Sequence, residues 1–413
     1  MKTLAVYRDG HHIGTLFDSE PLSFQYTDAC LSGAFASPFA DLIPLSSALQ
    51  SGPEIVAFFE NLLPEGEQRA IVEARHHVSS VFGLLTLLGG ESAGALVMIP
   101  PGLARNPAYI DTTWASILDS RDTLSEDENA SRAMGNTISG AQHKVLLYLD
   151  TATDTPRLPL GAALTTHILK PDITHTRAKV WASAINETLI MRAAARCGLG
   201  VANVRYINEA SACLVERFDR QSDDDQHWQR FHQADLCQLL GIKSDTKYER
   251  DGGPTFAQCY HLVKQKSSNP AQDCLRLLKW LLFNLFVGNY DSHAKNLSLL
   301  YRAGEVRLSP FYDLMCTAIY SGLSRNFALA VGGEYASGMM DAQHLELLAK
   351  AVDVNHKRLK SMAGELAKEV SAAVDAEGLA LSAQTGPTEQ AAIGRIVQWV
   401  GSNTGKLATK LVK

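Results

Sequence analysis

The run LLKWLLFNLFV, residues 277 to 287, passes without a spacer into GNYDSHAKN, residues 288 to 296. An apolar stretch with Trp280 inside it demands burial on most sides, so the chain has to build a core around it. Its uninterrupted part is shorter than the roughly 18 residues of a membrane helix, and Lys279 and Asn284 break it. It reads as a core helix. Where that helix leaves the core, an aspartate, a histidine, a lysine and an asparagine fall within six positions. Such an ending is either a solvated terminus or a reaction centre.

A chain of 413 residues exceeds what one hydrophobic core supports, which implies two or three domains. With 46% hydrophobic and 20% charged residues it has the composition of a folded globular protein. The net charge of -6 offers phosphate backbones no broad attraction, so tight autonomous nucleic-acid binding is not expected. A basic partner would still bring it to DNA. The start, MKTLAVYRDGHHIGTL, lacks a charged segment followed by an apolar core, so export is not expected. Seven scattered cysteines without a CxxC suggest neither a zinc site nor a disulfide framework, which fits a reducing cytoplasm.

Residues 3 to 17, TLAVYRDGHHIGTLF, read as two strands turning at Asp9-Gly10. IVAFFENLLPEGEQRAIVEAR has helical spacing interrupted at Pro64, and VFGLLTLLGGESAGALVMIP runs from helix through a glycine turn to a strand. Further on, TISGAQHKVLLYLD, GAALTTHILK and VANVRYINEASACLVERFDR are β-rich, while WASAINETLIMRAAARCG is a helix ending at glycine. After about residue 230 the pattern is mostly helical. The expected division is 1–105, 106–229 and 230–413.

Asp291 and Asn296 stand five positions apart, and Asp313 follows in SPFYDLM after two probable strands, LSLLYRAG and EVRLS. Phosphoryl transfer needs a carboxylate to take the acceptor proton, plus an amide oxygen and a second carboxylate for magnesium. A D-x-x-x-x-N loop with an aspartate a hairpin later has the protein-kinase form. Upstream, Lys170 ends a strand in THILK, where kinases keep a phosphate-gripping lysine, and Glu187 lies in the next helix, where its carboxylate partner is expected. GNTISGAQHK, with Gly135 and Gly140, is a loop whose amides would cradle phosphates, although it is neither a Walker A sequence nor GxGxxG. His293, two positions after Asp291, is expected to support the loop. Any one match is weak; their order suggests ATP-dependent phosphoryl transfer.

SGAQHK, TTHILK, VERFDR, KYERDGGP, DSHAKN, SPFYDL and NLLPEGEQR together resemble the HipA family of bacterial toxin kinases, over nearly the whole chain. The resemblance implies an α+β fold of bilobal protein-kinase-like and phosphoinositide-kinase-like type. It has a small N-terminal subdomain, an ATP-binding lobe and a mostly helical catalytic lobe. It makes Asp291 the base, Asn296 and Asp313 magnesium ligands and Lys170 the phosphate contact, with the backbone near Glu216 and Phe218 meeting adenine. It further implies a serine/threonine kinase that phosphorylates an aminoacyl-tRNA synthetase. A helix-turn-helix antitoxin, HipB-like, would neutralise it and join it to operator DNA, with no membrane involved. A small-molecule or lipid kinase, or a corepressor without kinase output, are the alternatives.

One departure stands out. Family loops carry one autophosphorylated serine in S-x-A-G-A-Q-E-K, whereas this chain reads T-I-S-G-A-Q-H-K. The pair of hydroxyls, Thr137 and Ser139, is similar to shorter HipT relatives. Both are expected autophosphorylation sites, since added phosphate would repel the nucleotide's own phosphates.

Overall fold

The computed structural model describes residues 1–33, 39–103, 107–118, 142–150, 152–173, 179–222 and 228–412. Gly135, Thr137, Ser139 and Gly140 lie outside the described residues. The chain divides into two compact units. One comprises residues 1–170, 216–245 and 300–304, the other 171–215, 246–299 and 305–413.

The first unit opens with the hairpin expected at Asp9-Gly10, between strands Thr3–Arg8 and His11–Phe17. Both turn residues have positive φ, 50° and 83°, which matches the right-handed twist of the flanking strands. A five-stranded antiparallel sheet results, ordered Gln50–Ser51, Ser23–Tyr26, His11–Phe17, Thr3–Arg8, Leu96–Ile99. Pro64 separates helices Pro53–Glu60 and Gly66–His76, and Val81–Leu88 supplies a third before the returning strand. Phe24, Phe39, Phe58 and Phe59 interlock at ring distances of 4.8 to 5.9 Å as the core of this part. Antiparallel strands follow in the order Ala108–Asp111, Thr155–Leu160, Val145–Asp150, His167–Pro171.

A buried ionic cluster closes the unit. Glu91 has no exposed surface, and its Oε1 accepts from Arg217 at 2.9 Å, Arg220 at 2.8 Å and the Thr165 hydroxyl at 2.9 Å. Its Oε2 accepts from Arg230 at 2.6 Å. Asp219 takes the remaining guanidinium edge of Arg217 at 2.8 and 3.0 Å and the amide of Gly94 at 2.7 Å. Burial drives the Glu91 carboxyl upward, but Arg220, Arg230 and Arg217 outweigh it and hold it at about 2.

The second unit is mostly helical, as expected, with Ser183–Arg196, Phe256–Lys266, Pro270–Val287, Ala342–Ala351, His356–Ser382 and Pro387–Val412. The last two are long and amphipathic and pack along each other. At Gly378 a side chain would come within 2.8 Å of Val397. An antiparallel hairpin, Asn326–Val331 with Glu334–Ala336 around Gly332-Gly333, interrupts the helices and was not expected. All seven cysteines are buried, and none forms a disulfide. Among the described residues no helix is long and apolar enough to cross a membrane.

Glu91→Ala is expected to cost about 3–5 kcal/mol, because it leaves three guanidiniums around an empty centre. The carboxyl falls from an ordinary 4.5 to about 2 on folding, so its stabilisation is complete above pH 4.5 and vanishes as pH drops through about 2. Urea unfolding at pH 7 and at stepped acid pH measures both effects.

Candidate active site

The helix Pro270–Val287 begins with proline at its first turn and an Asn269 cap, and buries Trp280, Phe283 and Phe286 completely. It stops at Gly288, whose φ of 68° is left-handed. The backbone N–H of Gly288 returns to the Asn284 carbonyl, and Asn403 Nδ2 caps the carbonyls of Leu285 and Phe286 at 3.0 and 2.9 Å. A Cβ on Gly288 would sit 2.2 Å from the Trp399 ring. Glycine is required here for both conformation and space.

Buried Asn289 then organises the loop. Its Nδ2 donates to Asn284 Oδ1 at 2.8 Å and to the Asp313 carbonyl at 3.5 Å, while its Oδ1 accepts the Asp291 amide at 3.2 Å. Thr317 adds a second tie, accepting the Tyr290 amide at 2.8 Å and donating to the Gly288 carbonyl at 3.1 Å. Asn296 Nδ2 donates to the Asp291 carbonyl at 3.0 Å across a short 3-10 turn, Ala294–Asn296. That bond fixes the amide plane and directs Oδ1 the other way.

Strands Ser298–Arg302 and Glu305–Leu308 carry the chain out and back, and Ser309 N returns to Ser298 O at 2.9 Å. The following segment is bound to the loop through Tyr312. Its hydroxyl reaches the Lys295 carbonyl at 3.0 Å and lies 2.7 Å from the Ser298 hydroxyl. Asp313 itself has φ 59°, a left-handed conformation costly for a residue with a Cβ and typical of functional sites. The segment that carries Asp291 and Asn296 is therefore bonded to the one that carries Asp313.

Asp291 presents an exposed carboxylate, 57% accessible, although the rest of the loop is buried. Tyr248 donates to its Oδ1 at 2.6 Å, and His293 Nε2 lies 3.8 Å from the same oxygen. Burial pushes the His293 imidazole well below its usual value; Lys247 and Lys295 push the same way, and Asp313 opposes them. The ring is neutral, so its approach to Asp291 is not an ion pair. His293 supports the loop by packing edge-on to Tyr248, with ring centroids 5.3 Å apart.

Lys170 lies in the first unit, 3% exposed on strand His167–Pro171. Glu187 belongs to the second unit and is fully buried in helix Ser183–Arg196, not solvated. Its neighbour Asn186 exchanges hydrogen bonds with the Cys316 backbone at 2.8 and 3.0 Å, tying that helix to the chain just after Asp313. Glu216 and Phe218 are exposed and half-buried, whereas Arg217 and Asp219 between and beyond them are buried in the Glu91 cluster. Sequence reasoning missed Tyr248, Asn289, Tyr312 and Thr317 as parts of the site. In sequence KYERDGGP carries the family resemblance and no sign of the contact between Tyr248 and Asp291.

Oxygen donors of the type found at Asn296 and Asp313 suit a hard divalent cation such as magnesium. Among the described residues no cluster of three or more His, Cys, Asp or Glu forms a metal cage. A magnesium held partly by nucleotide phosphates needs none.

Two family models match the chain, the HipA N-terminal domain at residues 4–99 and the HipA-like C-terminal domain at 136–374. A Sinorhizobium fredii protein named "Putative kinase Y4mE" is 35% identical over 90% of this chain and 91% of its own. The "Serine/threonine-protein kinase toxin HipA" of Shewanella oneidensis is 27% identical over 90% and 88%. A solved Shewanella oneidensis structure, of the toxin-antitoxin system HipA, HipB and operator DNA, superposes with TM-score 0.83 at 25% identity over 99% of both chains. The class these matches define is an α+β kinase with a kinase-like fold, as the sequence led us to expect. Within that class the chain belongs to the HipA family.

Gly288→Ala is expected to destabilise by about 2–4 kcal/mol, from the left-handed backbone plus overpacking against Trp399. Denaturant unfolding reads it directly.

Proposed function

We propose that the protein is a Mg-ATP-dependent serine/threonine-protein kinase acting as the toxin of a type II toxin-antitoxin system. The observation that carries the reading is the joining of the Asp291, Asn296 and Asp313 segments through Asn289 and Tyr312. An exposed carboxylate on a rigid, buried loop suits a base that must meet a bulky acceptor. Asp291 orients the acceptor hydroxyl and takes its proton as oxygen attacks the γ-phosphorus and the bridging P–O bond to ADP breaks. Asn296 and Asp313 hold magnesium, which when bound offsets charge on the phosphates.

Lys170 contacts the phosphates and Glu187 is its orienting carboxylate. Gly135 and Gly140 lend backbone amides, and the backbone at Glu216 and Phe218 meets adenine. The half-buried ring of Phe218 and the buried charges flanking it fit a segment whose one face is anchored and whose other face is offered. On this reading the chain works as three parts, 1–105, 106–229 and 230–413. Thr137 and Ser139 are autophosphorylated, which switches nucleotide binding off.

The acceptor is a translation-related protein in the cytoplasm, an aminoacyl-tRNA synthetase. A helix-turn-helix antitoxin of HipB type neutralises the kinase and brings it to operator DNA; the net charge of -6 means the DNA contacts come from that partner. The Shewanella oneidensis assembly, which contains HipA, HipB and operator DNA, supports this part.

Asp291→Gln and Asp313→Ala are each expected to lower phosphoryl transfer by at least about 10²-fold and to abolish growth arrest on expression. If both variants arrest growth as the parent does, the kinase account of toxicity is wrong. Phosphoproteomics of cells expressing parent or Asp291→Gln identifies the acceptor. Peptide mass spectrometry after incubation with Mg-ATP is expected to find phosphate on Thr137 or Ser139; an active preparation with neither modified removes the autoregulation.

A further inference from the structure

Tyr248 is far from the catalytic loop in sequence, yet its phenol meets Asp291 Oδ1 at 2.6 Å, within the short range of charge-assisted O–H···O bonds. Its backbone is held from behind. The Tyr248 carbonyl accepts from Asp251 at 3.0 Å and from Gly253 at 2.9 Å, closing a tight turn over Glu249–Asp251. Gly252 has φ 92°, and a Cβ on Gly253 would lie 2.2 Å from the Thr246 carbonyl, so KYERDGGP closes this way only with its two glycines. Glu249 pins the turn by accepting the Ala330 amide at 2.8 Å. The ring is then braced edge-on by His293, itself buried and neutral.

An exposed aspartate side chain has freedom about two bonds, and a base that must stay within hydrogen-bond reach of its acceptor loses rate when it wanders. The Asp291 backbone bonds to Asn289 and Asn296 hold the main chain, and His293 Nε2 approaches the carboxylate at 3.8 Å, beyond hydrogen-bond reach. The Tyr248 phenol acts on the carboxylate itself, as a short hydrogen bond to one of its oxygens.

We propose that Tyr248 is a positioning residue for phosphoryl transfer, locking the Asp291 carboxylate in one orientation toward the acceptor hydroxyl. This rests on the reading of Asp291 as the base. The acceptor proton passes to the Asp291 carboxylate as the new O–P bond forms and ADP departs. The Tyr248 proton stays on the phenol throughout, so the tyrosine is neither consumed nor modified.

Tyr248→Phe removes one oxygen and leaves the contact with His293. With full-length protein and Mg-ATP, ADP formation is expected to fall about tenfold in kcat. KM for ATP, the Kd of a non-hydrolysable ATP analogue and the melting temperature stay within error of the parent. In an Asp291→Gln background the same change has no further effect, because it acts through that carboxylate. A ring-fluorinated tyrosine at 248 keeps shape and packing but ionises nearer neutrality, and its phenolate repels the base. Activity should then drop on the alkaline side where the parent's does not, a loss that a merely structural tyrosine would not produce. If Asp291→Gln is inactive while Tyr248→Phe and the fluorinated form match the parent, the positioning role is wrong and the base survives. If Asp291→Gln is as active as the parent, or the parent forms no ADP, the base itself is misassigned and this role goes with it.

Discussion

The left-handed turn at Gly288 is the constraint on which the site depends. An apolar helix buried as deeply as Pro270–Val287 has little freedom to move, and its end is capped twice, by its own Gly288 amide and by Asn403. The chain therefore leaves the core at one fixed point and in one direction. Asn289 and Thr317 transmit that rigidity to the next residues by using both their donor and acceptor capacity on backbone and side chains nearby. Buried polar groups paired this fully stabilise a single arrangement, since any alternative would leave several of them unsatisfied. Asp291 is the one residue of 291–296 that is exposed, the others being buried.

A second device serves the first unit. At the turn over residues 217–220 the side chains of Arg217, Asp219 and Arg220 all enter the Glu91 cluster, while Glu216 stays exposed and Phe218 half-buried. The anchoring groups come from the loop at 91–94, at the end of the N-terminal subdomain matched by its own family model. The subdomain is thus more than an appendage. Its carboxylate completes the charge balance of the segment that we propose meets adenine.

What could be read beforehand followed from local rules. The Asp9-Gly10 hairpin, the break at Pro64, the strand bearing Lys170 and the core helix before GNYDSHAKN are each written in a few adjacent residues. What stayed hidden depends on partners distant in the chain. The full burial of Glu187 has no local sign, since its helix is covered by the helices His356–Ser382 and Pro387–Val412, far along the chain. Glu91 gave no signal at all, since its arginines lie more than a hundred residues away. Tyr248 lay in a recognisable signature whose chemistry is silent until the turn brings the phenol to Asp291, 43 positions later.

The positive φ at Asp313 links these observations. A left-handed non-glycine residue is held only where surrounding bonds over-determine it. Here the preceding residue is fixed by Tyr312 on Lys295 and Ser298, the Asp313 carbonyl takes the Asn289 amide, and three residues on, Cys316 is clamped by Asn186. Relaxing Asp313 to an ordinary conformation would redirect its carboxylate and break at least one of those ties. The conformation fixes the direction in which the Asp313 side chain leaves the backbone, which suits the role we propose for it beside Asn296 as a magnesium ligand.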